Sequence, residues 1–201
     1  MAPPPPATSA RTNAATAIAP SATRPPQSFT WDPSVVEFIL PLTDYLKTNS
    51  SIQGVCVGAF VFDDRGRLLV VQRAPHDSYP LRWEVPGGTI DKEDESILHG
   101  LVRELWEETG LRTRHVPEKV GRGYTFLTRR PACVCKYSFV VDVYAYDVKL
   151  DPNEHVAFLW ITEDEAKMKK CGGTDLVYTS AAQEQAILQS FHIPSRQRTE
   201  I

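Results

Sequence analysis

The stretch RELWEETG, residues 103–110, carries three carboxylates, Glu104, Glu107 and Glu108, within five positions. In a helix of about 3.6 residues per turn, side chains three and four positions apart are neighbours, so these three share one arc. Like charges at this spacing repel one another, and no lysine lies on the same arc to neutralise them. An all-oxygen cluster of this kind would favour a hard cation such as Mg2+ or Mn2+. Taken alone, the pattern fits either a metal site or a solvated acidic patch.

The segment EDESILHGLVRELWEETGL, residues 93–111, is predicted to form the helix that positions these carboxylates. Asp94 or Ser96 can cap its N-terminus, and Gly110 can end it in the left-handed conformation. Apolar residues recur at helical spacing and predict one buried stripe: Ile97, Leu98, Leu101, Val102 and Leu105. The carboxylates border that stripe, so we expect them at the edge of a helix–sheet contact.

Strand and turn signals lie on both sides of this helix. GVCVGAFVFDDRGRLLVVQRA, residues 54–74, predicts a hairpin about Asp64-Arg65-Gly66, and LRWEVPGG, residues 81–88, predicts a short strand. Longer strands are predicted at residues 134–148 and 155–161, followed by helices near Thr162–Lys169 and Thr179–Phe191. Because strands and helices mix without regular alternation, the predicted fold class is mixed α/β, with a sheet sandwiched between helices.

The N-terminal region differs in composition from the rest. Residues 1–30 are rich in Pro, Ala, Ser and Thr and predict a disordered tail, although their lack of acidic residues also permits an organellar transit peptide. Asp32-Pro33 then predicts a helix within residues 31–50, packed on the domain, which Pro41 should kink or end. The main domain is expected at residues 51–195, with a short C-terminal tail at 196–201.

Composition narrows the function classes. The net charge is −3, so no strong nucleic-acid signal is present, and no run approaches the ~18 apolar residues of a membrane helix. Four cysteines, at positions 56, 133, 135 and 171, are interpreted as reduced structural thiols. They favour a cytoplasmic location, with a mitochondrial one as the alternative if the N-terminal tail is a transit peptide. The oligomeric state is left open.

Residues 88–111 resemble the Nudix box, G-x5-E-x7-R-E-U-x-E-E-x-G-U, where U is aliphatic. Nine positions match: Gly88, Glu95, Arg103, Glu104, Leu105, Glu107, Glu108, Gly110 and Leu111. Glu95 keeps the spacing before Arg103 but lies one residue too far from Gly88, whereas Asp94 would restore the first spacing and break the second. We expect the extra residue in the loop TIDKED, because loops absorb insertions more easily than helices. With WEVPGG and VVQRA, the likeness spans roughly residues 54–161.

The resemblance implies a Nudix fold, a mixed sheet in an α/β/α sandwich with a loop–helix–loop catalytic element. It also implies hydrolysis of a small-molecule nucleotide substrate, a nucleoside diphosphate linked to another moiety, with Mg2+ or Mn2+ as cofactor. By motif position, Glu104, Glu107 and Glu108 would be metal ligands, and Glu104 could instead act as general base.

Four further residues, three in the box and one just before it, receive roles from the same resemblance. Arg103 and Glu95 would pair and hold the shape of the element. Helix geometry separately puts Arg103 about 100° from Glu104, so we expect it to point away from most of the carboxylates. Gly87 and Gly88 would let the backbone approach metal and phosphates, and the Gly88 carbonyl could bind the metal.

Other residues outside the box have two readings each. Arg73 could contact a phosphate through its guanidinium fork or be a strand-end surface charge. Glu84 could be a further carboxylate of the site or one partner of a cross-strand pair. Trp83 and Tyr79 could stack on a base, although packing in the core or at a rim is the commoner role of such residues.

A late loop and a hairpin carry further candidates. Glu154 and His155 could supply a general base, or form an ordinary exposed pair. Arg122, Arg129 and Arg130 flank GYTFLT and could contact phosphates, or belong to a solvated hairpin.

Two other functions are weighed against hydrolysis. A non-catalytic Nudix domain that binds nucleotide or a partner protein is favoured by the enlarged box loop. A Nudix-fold isomerase of prenyl diphosphates would need a proton donor, often a cysteine, and no cysteine lies in a motif that ties it to the site. The identity of the nucleotide derivative is not given by the sequence.

Overall fold

The computed structural model describes residues 28–193. The predicted tail and transit peptide, apart from residues 28–30, and the tail at 196–201 lie outside the described residues. The strands are β1 Thr30–Trp31, β2 Gly54–Phe60, β3 Leu68–Arg73, β4 Trp83–Glu84, β5 Thr113–Val116, β6 Lys119–Leu127, β7 Cys133–Val140, β8 Asp142–Val143, β9 His155–Ile161, β10 Lys170–Cys171 and β11 Thr174–Asp175. The helices are a 3-10 helix at Pro33–Ile39, α1 Leu42–Thr48, α2 Ile97–Thr109, α3 Glu163–Met168 and α4 Ala181–Ser190.

The strands form mixed sheets packed between helices, which confirms the predicted α/β class. Strand β7 pairs in parallel with β2 and antiparallel with β6, so the order of this sheet is β2-β7-β6. Strand β3 lies between β4 and β9, both antiparallel to it. A third sheet has the order β1-β5-β8. None of the helices in residues 28–193 is both long and apolar enough to cross a membrane.

Helix α2 forms where its apolar spacing predicted it. The five residues of the predicted stripe are all buried, because they face the sheet. Ser96 is the N-cap, and its hydroxyl accepts a hydrogen bond from the backbone N–H of His99. Gly110 follows the last turn with φ of 69°, a left-handed conformation that glycine adopts without steric cost. Both ends of the carboxylate-bearing helix are therefore fixed by local sequence.

Other predicted elements are confirmed with changes at their ends. The helix expected within residues 31–50 is two short helices, which are interrupted at Pro41 as its missing N–H predicts. The turn at residues 63–67 closes by a bond from Asp63 N to Arg67 O, but the strands on either side enter different sheets. The strand expected at residues 134–148 ends at Val140, and β8 adds only two residues.

The loop after β4 lies along the free edge of β2. Backbone bonds join Ala59 N to Pro86 O, Val57 N to Gly88 O, and Ile90 N to Val55 O. The turn of residues 87 and 88 is consequently held between the sheet edge and α2, which packs against β2. This contact brings loop and helix together into one cleft.

Candidate functional site

Glu104 lies directly against Gly88 at the base of the cleft. A Cβ atom on residue 88 would be 2.6 Å from the Glu104 carboxylate, so a larger residue there would force this carboxylate to move. Burial raises the pKa of Glu104 to about 7, although the positive charge of Arg103 opposes the rise. The carboxylate is therefore held where its negative charge is poorly hydrated.

Glu108 is the more deeply buried carboxylate, with 5% of its surface exposed. Its Oε2 accepts a hydrogen bond of 2.7 Å from the backbone N–H of Gly87. Burial raises the pKa of Glu108 well above its ordinary value, and the nearby charges of Glu84 and Glu104 add to the rise. Gly87 has φ of 142°, and a Cβ there would be 2.2 Å from the Val57 carbonyl oxygen, so a larger residue would displace this donor.

Arg103 pairs with Asp94, and the predicted pairing with Glu95 is wrong. The Arg103 guanidinium donates from Nε to Asp94 Oδ1 at 2.9 Å and from Nη2 to Asp94 Oδ2 at 2.8 Å. The Asp94 side chain is 3% exposed, and this two-pronged geometry is the strongest that a guanidinium and a carboxylate can form. Glu95 points into solvent with 82% of its side chain exposed, 3.5 Å from His99 Nε2.

The pairing of Arg103 with Asp94 also changes where the extra residue of the box lies. Five residues separate Gly88 from Asp94, as in the family pattern, so the loop TIDKED holds no insertion before Asp94. The additional residue lies between Asp94 and the helix, where Glu95 leads into the cap Ser96. The predicted position of the extra residue, before Glu95, is wrong. The carboxylate that reaches Arg103 belongs to Asp94, one residue earlier in the chain.

Glu107 lies at the rim of the cleft, with 46% of its side chain exposed. Arg103 Nη1 donates to Glu107 Oε2 at 3.0 Å and to Glu104 Oε1 at 2.9 Å, so the expectation that Arg103 points away from the carboxylates is wrong. Within residues 28–193, no group of three His, Cys, Asp or Glu side chains is gathered as a set of metal ligands. The two box carboxylates beside the turn of residues 87 and 88 are Glu108, which is buried, and Glu104, whose side chain is 14% exposed.

A network of buried charges surrounds Glu84 on the opposite wall. Arg73 forms ion pairs with both Glu84 and Asp77, so its two terminal nitrogens are engaged inside the protein. Lys136 Nζ lies 3.9 Å and His155 Nε2 4.0 Å from the Glu84 carboxylate. Burial acts to raise the pKa of Glu84, but His155, Lys136 and Arg73 outweigh it and hold the pKa below its ordinary value. Glu84 thus contributes a fixed negative charge to the cleft.

Lys136 is a residue of the cleft that the sequence reasoning missed. It lies on β7 and is 9% exposed, a rare degree of burial for a lysine. The signal was present, because a single charged residue interrupts the otherwise apolar start of VCKYSFVV. Gly58 lies beside it on the adjacent strand, where an added Cβ would be 3.1 Å from Val85 Cγ2 and 3.4 Å from Lys136 Cε.

Glu154 lies exposed at the mouth of the cleft, whereas His155 is buried and the predicted exposed pair is wrong for it. The charge of Glu154 adds to the raised pKa of both Glu104 and Glu108. The segment before Glu154 is tied to the end of α2, with Lys149 N bonded to Thr109 O at 2.8 Å and Asp151 N to Glu108 O at 3.1 Å.

The remaining candidates divide by burial. Trp83 is 2% exposed and belongs to the core, as the commoner reading predicted, so it offers no face to a ligand. Tyr79 is 57% exposed. Cys56 Sγ lies 3.5 Å from Thr89 Oγ1, next to the box, so one cysteine does reach the cleft. The arginines at the β6–β7 hairpin are exposed: Arg122, Arg129 and Arg130.

Comparison with known proteins gives three related results. A model of the NUDIX domain matches residues 53–179. A MutT-like protein of Streptomyces ambofaciens is 35% identical over 124 residues, which cover 59% of this chain and 70% of that protein. An RNA pyrophosphohydrolase of Psychrobacter sp. (strain PRwf-1) is 45% identical over 60 residues, 30% of this chain, and the chain spans about a third of that relative, 32% of its length.

A solved structure is similar over a longer region. The MutT protein of Methanosarcina mazei Go1 superposes with a TM-score of 0.55 at 23% identity, covering 72% of this chain and 94% of that one. At this identity the likeness concerns the fold, and it confirms the fold expected from the box.

Proposed function

Since this chain belongs to the Nudix family, we propose that it hydrolyses the phosphoanhydride bond of a nucleoside diphosphate linked to another moiety, with Mg2+ or Mn2+. The observation that carries the proposal is a pair of poorly hydrated carboxylates beside the turn of residues 87 and 88: the buried Glu108 and the partly buried Glu104. Burial disfavours the ionised form of each group. A divalent cation between them would therefore relieve an electrostatic cost that the cleft imposes.

The donor atoms of the cleft fit a hard cation. Glu104 and Glu108 offer carboxylate oxygens, and the Gly88 carbonyl, which accepts a bond from Val57 N at 2.8 Å, has a second lone pair. Mg2+ keeps several waters and needs few protein ligands, so these two carboxylates and a rim residue suffice. Glu107 would join them by giving up its contact with Arg103.

The bound cation would supply a Lewis acid that polarises a phosphoryl oxygen and lowers the pKa of an attacking water. The side chains of the protein would hold the reacting groups in position. Arg103, clamped on Asp94, fixes α2 against the loop of residues 88–94. Lys136 adds a positive charge on the sheet, where phosphate oxygens would otherwise meet only carboxylates. Phosphoryl transfer depends mainly on such positioning and charge neutralisation.

We assign the general base to Glu154 rather than to a buried carboxylate. Glu154 is exposed to water at the mouth of the cleft, and its charge acts on both Glu104 and Glu108. A base in that position can take the proton of a water molecule that approaches from solvent. Glu104 and Glu108 are then free to act as ligands.

The proposal is tested by turnover of a panel of nucleotide derivatives with Mg2+ or Mn2+. The panel contains oxidised nucleoside diphosphates, nucleoside diphosphate sugars, dinucleoside polyphosphates and 5′-triphosphorylated or capped RNA. On the substrate that is turned over, Glu104→Gln and Glu108→Gln should each lower kcat by at least about 100-fold. Glu95→Gln is the matched control, because Glu95 belongs to the same box but points into solvent.

Full activity of the Glu104→Gln and Glu108→Gln variants would show that the roles are wrongly assigned. Absence of turnover over the whole panel, with tight nucleotide binding that the same variants retain, would favour the non-catalytic domain instead. Calorimetry with each panel member measures that binding.

One observation supports a second candidate, an isomerase of prenyl diphosphates. The Cys56 thiol lies in the cleft beside Thr89, and burial raises the pKa of this thiol, so it stays protonated and could donate a proton. Isopentenyl diphosphate therefore belongs in the panel. Loss of its conversion in Cys56→Ser, with hydrolysis unaffected, would identify this second activity.

A further inference from the structure

Four side chains form a row across the cleft-facing side of the sheet. Thr89 pairs with Cys56, Cys56 with Lys136, and Lys136 with Tyr124. Directly paired residues of neighbouring strands have their side chains on the same face, so all four face one way. The row begins next to Gly88 and ends on β6, the edge strand of its sheet.

The row gives the cleft a length and a direction. Neighbouring strands are about 4.8 Å apart, so Tyr124 lies roughly 10 Å from Cys56 and roughly 14 Å from Thr89. A ligand with its phosphates at Glu104 and extended along the row would place its organic part over β6. Helix α4 packs on β6 near Gly121, whereas residues 125–127 of this strand are exposed, so the row ends beside an uncovered part of the edge strand.

Two aromatic rings lie at this end of the row. Phe126 follows Tyr124 on the same face of β6, and the ring centroids are 6.3 Å apart at an interplanar angle of 45°. Phe126 is 39% exposed and Tyr124 is partly exposed. Rings tilted in this way do not stack on each other and leave π-faces open to a planar ligand.

A buried positive charge separates the rings from the carboxylates. The Lys136 ammonium lies 3.9 Å from Glu84 Oε2, longer than a hydrogen bond, so it keeps donor capacity for another group. Along the row the order is therefore carboxylates, cation, aromatic rings. A nucleotide carries matching groups in the same order: phosphate oxygens that bind a metal, further phosphate oxygens and an aromatic base.

We propose that Tyr124 and Phe126 form the subsite for the aromatic base of the substrate and that Lys136 binds its diphosphate. The inference rests on the proposed function, because it places the phosphates at Glu104. It narrows the substrates to compounds that carry a base. It also assigns the stacking role to residues other than Trp83, which is buried in the core.

Calorimetry with probes that resist hydrolysis tests the subsite. The probes are the α,β-methylene analogues of ADP, GDP, CDP and UDP, and methylenediphosphonate as the counterpart without a base, each with Mg2+. At least one nucleotide analogue should bind the native protein about 10-fold or more tightly than methylenediphosphonate. Tyr124→Ala should weaken that analogue by roughly 10- to 100-fold, the range of base–aromatic stacking, and leave methylenediphosphonate within about 2-fold.

Matched variants separate stacking from damage to the fold. Leu127 is the next residue after Phe126, on the opposite face of β6 and 75% exposed, so Leu127→Ala should change neither affinity. Tyr124→Phe should retain the preference for a base. Phe126→Ala should weaken only the nucleotide analogue, and Lys136→Met should weaken both probes.

Two results would overturn the inference: no nucleotide analogue binds more tightly than methylenediphosphonate, or Tyr124→Ala keeps the native preference. A preference for a base that depends on Tyr124, in a protein that turns over no member of the panel, would refute the hydrolysis and leave the subsite standing. Turnover of a panel member by a protein whose preference for a base does not depend on Tyr124 would refute the subsite and leave the hydrolysis standing.

Discussion

Replacing Glu104 by Gln should stabilise the metal-free protein while it removes a ligand. Gln keeps the size of the side chain and resembles the neutral carboxyl, so the substitution removes mainly the charge. The substitution weakens the 2.9 Å contact with Arg103, which by itself would destabilise the protein. Asp94, however, still neutralises the charge of the Arg103 guanidinium from its other side. Burial outweighs the ion pair, because the pKa of Glu104 is raised rather than lowered.

The magnitude follows from the pKa. The rise from 4.5 to about 7, at about 1.36 kcal/mol for each pKa step, makes ionised Glu104 cost the fold about 3 kcal/mol. Between these two pH values the native state holds a proton that the unfolded chain has lost, so the stability of the unsubstituted protein falls as pH rises. The advantage of the variant should therefore be near zero at pH 4.5 and approach about 3 kcal/mol at about pH 8.

Urea unfolding with a chelator, at the two pH values, measures this difference. Glu107→Gln is the control, because that side chain is partly exposed and loss of its ion pair should cost at most about 1 kcal/mol. Added Mg2+ should stabilise the unsubstituted protein more than Glu104→Gln, since it binds only the folded state. The reasoning fails if the Glu104→Gln variant is no more stable than the unsubstituted protein at about pH 8 without metal.

Three further outcomes follow from contacts in the cleft. Asp94→Asn should lower the free energy of unfolding by about 3 to 5 kcal/mol, and Glu95→Gln by less than about 0.5 kcal/mol, in the same urea assay. Gly88→Ala would place a Cβ 2.6 Å from the Glu104 carboxylate, so kcat should fall at least about 100-fold while circular dichroism stays native. Glu154→Gln should lower kcat about 100-fold or more, with unchanged metal affinity measured by calorimetry.

The sequence predicted the elements whose signals are local. Apolar spacing located α2, and its cap Ser96 and end Gly110 are where side-chain chemistry places them. Strand β9 has the predicted bounds, and alternate residues of this short apolar run pack against different hydrophobic clusters on its two faces. Strand β6 is anticipated only as part of the hairpin around GYTFLT and its bounds are not, since Gly121 and Gly123, both with positive φ, interrupt its alternation. The sequence of β6 alone does not indicate a strand, and its extended conformation is stabilised by backbone pairing with β7.

Within the site, the sequence located the carboxylates but not their partners. Spacing to Arg103 favoured Glu95, yet the contact is decided by the path of the loop, which brings Asp94 under the guanidinium and turns Glu95 outward. Lys136 and Tyr124 are adjacent only through strand pairing. Such residues are distant in sequence and become neighbours through the register of two strands, which the sequence of either strand alone does not determine.

The two backbone bonds from Lys149 to Thr109 and from Asp151 to Glu108 also determine how the cleft can move. They join the end of α2 to the segment that carries Glu154, and Ala74 N, which donates to Glu154 O at 2.9 Å, joins that segment in turn to the end of β3. Because the helix, the Glu154 segment and β3 are linked through their backbones, we expect the proposed base and the carboxylates of α2 to keep their separation when a substrate binds. We expect adjustment to the substrate in the exposed β6–β7 hairpin instead.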